Sequence, residues 1–146
     1  MLRTVIAGSA LLVATVAQAQ LQPELRADVI GPRPYTVQPG GGITAALGYY
    51  ARVSASVGYA LRNDTTLIDG RWRGDLLGRF ILDPFRQQRW GLAVGAGLTF
   101  RRRPYLTVIA EVEGPELARW LPAIQVGAGG GFRAGAIVRR AVKGRR

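Results

Sequence analysis

RWRGDLLGRF, residues 71–80, separates by parity into two lists. Trp72, Gly74, Leu76, Gly78 and Phe80 fall on one side, and Arg71, Arg73, Asp75, Leu77 and Arg79 on the other. Successive side chains of a strand point to opposite faces, so this spacing predicts a β-strand with one greasy face and one charged face. A helix would mix the two sets, and each interior glycine would cost it about 1 kcal/mol relative to alanine. Which face points inward then decides the architecture.

The same period runs outward along the chain. Ala51–Arg62 sets Val53, Ala55, Val57, Tyr59 and Leu61 against Arg52, Ser54, Ser56 and Gly58. Arg89–Arg102 sets Trp90, Leu92, Val94, Leu98 and Phe100 against Gly91, Ala93, Gly95, Gly97 and Thr99, and Arg103–Glu113 repeats the theme. Tyr35–Leu47, with Pro39 and three glycines, reads as a weaker strand. In Leu121–Arg140 the apolar residues keep to even numbers on both sides of Gly129–Gly131. A two-residue turn there would switch the parity, so the segment reads as one long strand bent at the glycines. These readings give six strands joined by short links, an antiparallel up-and-down order.

MLRTVIAGSALLVATVAQAQ, at the start, has the order of a secretory signal peptide: Arg3, a small apolar run, then Ala17-Gln18-Ala19. Residues 1–19 are therefore expected to be a signal peptide, 20–34 an N-terminal linker with a short extended piece near Leu25–Ile30, and 35–146 a single β-barrel domain. The chain of 146 residues has no cysteine and no histidine and a net charge of +11. That excludes disulfides and Ser-His-Asp chemistry and favours anionic partners. Nucleic acid is not expected for an exported chain whose arginines are dispersed.

The charged face is built on glycine, alanine and serine, and it mixes both signs: Arg71, Arg73, Asp75, Arg79, Glu111, Glu113 and Arg133. Water-facing strands do not require small residues, whereas a crowded lumen does, and charges of both signs can pair there. Strands of about 11 residues, tilted, cover a hydrocarbon band of roughly 25 Å. Tyr49, Tyr50, Phe80, Phe85, Trp90, Phe100 and Trp120 lie near strand ends, as interfacial aromatics do.

This combination over Tyr35–Arg140 resembles the small outer-membrane β-barrel family of Gram-negative bacteria. The resemblance implies an all-β, antiparallel up-and-down barrel of six to eight strands. Eight is the usual family minimum, reached here if the lead segment adds a strand or a long segment splits. It implies an outer-membrane protein, structural or a narrow pore, with outer-membrane lipid or lipopolysaccharide as partner. The alternatives are a soluble periplasmic barrel binding a small apolar or anionic ligand, a surface adhesion module, and a homo-oligomer in which chains associate to complete a barrel.

No catalytic, cofactor or metal site is readable. Glu111 and Glu113 share a face, a formal acid and base pair, but pairing with lumenal arginines such as Arg71, Arg73 or Arg133 is the expectation. Gly129–Gly131 lacks the lysine and hydroxyl residue of a phosphate loop. RRRPY, residues 101–105, is the densest basic spot. Arg101, Arg102 and Arg103 are a candidate anion contact at one rim, against the reading of a solvated turn.

Overall fold

The computed structural model describes residues 21–31, 35–64, 67–84 and 89–141, without the side chains of 62–64 and 67–70. Eight strands follow one another: β1 Leu21–Gly31, β2 Thr36–Leu47, β3 Ala51–Asp64, β4 Leu67–Ile81, β5 Gly91–Phe100, β6 Tyr105–Glu113, β7 Trp120–Ala128 and β8 Phe132–Arg140. Each pairs antiparallel with the next, and β8 closes on β1, so the sheet is a barrel without an edge. The signal-peptide reading, Gln20 and residues 32–34 lie outside the described residues.

Two expectations are corrected. Residues 21–31, read as part of a linker, form a full wall strand paired on both sides. Prolines suggested a linker, yet Pro23 sits where β1 is paired with β2 alone, since pairing with β8 begins at Glu24. Its missing N–H therefore breaks no ladder on that side. The long Leu121–Arg140 strand is a hairpin, β7 and β8, with Ala128 opposite Phe132. Three residues, Gly129–Gly131, make the link, and an odd loop leaves the parity unchanged where a two-residue turn would invert it. Gly130 has φ of 63° beside the Tyr105 ring, a conformation that needs glycine.

Parity inverts once along the described chain. Buried positions are even in β1 to β3 and odd from β4 onward, and the switch falls at the two-residue link between Asp64 and Leu67. Every other link leaves the parity unchanged, so the alternation stays legible across turns.

The register fixes the tilt. Partners followed once around the barrel run Leu21, Ala45, Val53, Gly78, Ala96, Val108, Ala128, Phe132 and return to β1 at Gly31, a stagger of ten residues. Ten residues at about 3.3 Å against eight strand spacings of about 4.8 Å give a tilt of about 40°, within the range of closed barrels.

Candidate functional site

The lumen is ionic. Six arginines, Arg26, Arg52, Arg73, Arg79, Arg133 and Arg139, and five carboxylates, Glu24, Asp28, Asp75, Glu111 and Glu113, are buried there. Each stands at an inward strand position, and all but Glu113 and Arg139, at the ends of β6 and β8, lie between outward glycine or apolar strand neighbours. Glycine on adjacent strands gives them room: a Cβ on Gly95 would lie 3.1 Å from Arg79 Cγ, and one on Gly135 would overlap Asp28 Oδ1.

The charges form two clusters, joined through Arg26, whose Nη1 lies 3.7 Å from Glu24 Oε1. On β4 the inward order is Arg73, Asp75, Leu77, Arg79; on β6 it is Thr107, Ile109, Glu111, Glu113; on β8 it is Arg133, Gly135, Ile137, Arg139. Fully or nearly fully buried Leu77, Ile109 and Ile137 therefore lie between the clusters.

Toward the mouth opposite the start of β1, Arg133 Nη2 donates to Asp28 Oδ2 at 2.6 Å and Asp75 Oδ2 at 2.7 Å. Arg26 Nε donates to Asp28 Oδ2 at 2.9 Å, and Thr99 Oγ1 donates to Asp75 Oδ1 at 2.6 Å. Arg73 lies 5.6 Å above the Tyr105 ring and 3.4 Å from Asp75 Oδ1.

Toward the other mouth, Arg139 is the hub. It donates from Nε to Glu24 Oε2 at 3.0 Å, from Nη2 to Glu111 Oε2 at 2.8 Å and from Nη1 to Glu113 Oε1 at 2.8 Å. Arg52 pairs with Glu113, Arg79 Nε lies 3.1 Å from Glu111 Oε2, and Thr44 donates to Glu24 at 2.8 Å. Among the described residues this cluster holds three arginines and three glutamates, and the first holds three arginines and two aspartates.

Several of these ties cross the barrel instead of running between neighbours: β8 to β4 through Arg133 and Asp75, β3 to β6 through Arg52 and Glu113, β4 to β6 through Arg79 and Glu111. A buried ion needs such partners to be tolerated, and removing one typically costs about 3–5 kcal/mol. The arrangement can brace and fill a lumen.

Of the residues expected in this network, Arg73, Asp75, Arg79, Glu111, Glu113 and Arg133 are buried in it. Arg71 shares their parity but lies exposed at the mouth. The glutamates do not pair with Arg71, Arg73 or Arg133 as expected: those lie toward the other mouth, and Arg139, Arg79 and Arg52 take the role. Glu24, Arg26 and Asp28 were missed with β1, although they alternate with Leu25, Ala27 and Val29. Arg101, Arg102 and Arg103 stand exposed in the link between β5 and β6.

The outer wall obeys the opposite rule. From Leu21 to Val138, the outward strand positions with described side chains carry glycine, alanine, proline, aliphatic or aromatic residues and no charge. Leu25, Ile43, Val57, Leu92, Leu106, Val108 and Ile124 are each more than half exposed.

Aromatics ring both ends of this wall. Tyr35, Tyr59, Trp72, Phe100 and Phe132 stand toward one mouth, and Tyr49, Tyr50, Phe80, Trp90 and Trp120 toward the other. Phe85 lies outside the described residues. Trp72 to Phe80 and Trp90 to Phe100 are separations of eight and ten residues, about 20–25 Å along the barrel axis at the tilt above.

No protein-family model matches the chain, nor does any curated protein or solved structure.

Proposed function

We propose that the chain is a non-enzymatic β-barrel of a bacterial outer membrane, with a structural role and a lumen closed by its own ion pairs. One observation carries the reading: from Leu21 to Val138 the described outward side chains of a closed barrel carry no charge. Soluble monomers rarely expose contiguous apolar patches beyond a few hundred Å². A soluble ligand-binding barrel also needs its apolar face inside, around the ligand, whereas here the apolar face is outside. The wall's height between the aromatic rings suits the band of about 25 Å that membrane barrels present to lipid.

The ties across the lumen favour a brace over an open pore. Membrane fractions washed with carbonate or urea test the location: the chain is expected to stay in the pellet and to shift in mobility on a gel when heated. Release into the wash would overturn the reading. In a planar bilayer no steady conductance is expected, and a steady conductance would refute the closed lumen while leaving the membrane location intact.

A further inference from the structure

Among the described side chains the two mouths differ in charge. Around the mouth that holds the start of β1 and the end of β8, the described side chains are mixed: Asp83, Arg89, Glu116, Arg119 and Arg140. At the other, the exposed charged side chains among those described are Arg71, Arg101, Arg102 and Arg103, with no exposed carboxylate.

Arg101–Arg103 follow directly on Phe100, a member of the aromatic ring at that end, and Pro104 and Tyr105 return the chain into β6. Interfacial aromatics sit at the level of the headgroups, so residues immediately beyond them meet lipid phosphates. A guanidinium matches a phosphate with two parallel N–H donors, and these three stand in succession. The buried Asp28 and Asp75 are held within the lumen by Arg26, Arg73 and Arg133.

We propose that the link between β5 and β6, through Arg101, Arg102 and Arg103, is a binding site for the phosphate of an anionic membrane lipid, which anchors this mouth to one leaflet. The proposal rests on the reading of the outer wall as lipid-facing.

The test uses the full chain in phosphatidylcholine vesicles containing spin-labelled phosphatidic acid, with the motionally restricted fraction giving the association constant relative to spin-labelled phosphatidylcholine. Wild type is expected to prefer the anionic lipid. Combining Arg101→Gln, Arg102→Gln and Arg103→Gln is expected to lower that preference by roughly tenfold, since exposure and salt weaken each arginine's attraction to a charged surface. Arg89→Gln with Arg119→Gln, at the other mouth, is expected to leave it unchanged. Inorganic phosphate at the same phosphate concentration is expected to displace nothing.

Retained preference in the triple variant, equal loss in the double variant, or displacement by inorganic phosphate would each overturn the proposal. Carbonate resistance and the heat shift of the same samples report on membrane insertion separately, so a failure of the site is distinguishable from a failure of the membrane reading.

Discussion

The wall and the lumen of this barrel are made by the same strands, one residue apart, yet they follow opposite rules. From Leu21 to Val138 the outward positions with described side chains carry no charge, while inward positions bury eleven charged side chains. In a water-soluble barrel the two sets would be exchanged. Burial in this molecule is therefore not a measure of hydrophobicity: Arg133 and Arg139 are among its least exposed residues, and Trp72 and Leu106 are among its most exposed.

The largest expected effect on the lumen side is Arg139→Ala. It leaves Glu24, Glu111 and Glu113 facing one another without their common donor, and about 3–5 kcal/mol of folding free energy should be lost in denaturant unfolding from lipid vesicles. A loss below 1 kcal/mol would mean that the lumen is hydrated well enough for charge pairing to count for little.

On the wall side, Leu76 lies midway between Trp72 and Phe80, and Leu82 lies past the ring at the end of β4. Leu76→Arg is expected to cost about 2–4 kcal/mol in a bilayer and Leu82→Arg about 0–1 kcal/mol, because the penalty follows depth in the hydrocarbon. Equal costs would break the contrast between wall and mouth.

Smaller, and again inside, Gly135→Ala sets a methyl group onto Asp28 and should cost about 1–3 kcal/mol as overpacking, read in the same unfolding assay. Least of all, neutralising Arg101, Arg102 and Arg103 together should change stability in neutral vesicles by less than about 0.5 kcal/mol, since these side chains are exposed.

The sequence made the faces legible because parity survives most of the turns. Odd links such as Gly48–Tyr50 and Gly129–Gly131 carry the alternation through unchanged, so the sorting of Val53 from Ser54, or of Leu76 from Asp75, needed no knowledge of pairing. That same property concealed the last hairpin, because an unbroken parity looks like an unbroken strand. β1 was hidden for another reason. Pro23, with Pro32 and Pro34 just beyond the strand in the sequence, and its charges suggest a linker when a strand is expected to be greasy, although Glu24, Arg26 and Asp28 alternate as regularly as any segment.

Ion-pair partners were not legible. Glu111 and Glu113 could have met any arginine of the charged face. The choice of Arg139 over Arg133 depends on the stagger of ten residues around the barrel, which no single strand encodes.

The chain has no cysteine, so introduced cysteines can report which face of β4 meets lipid. Single cysteines at each position from 72 to 80, spin-labelled and placed in lipid vesicles, report whether a side chain meets oxygen dissolved in the acyl region or a water-soluble relaxation agent. Even positions are expected to be relaxed by oxygen and shielded from the polar agent, most strongly at Leu76, with odd positions shielded from both. Even positions relaxed equally by the polar agent along the whole strand would place the apolar wall in water and contradict the account.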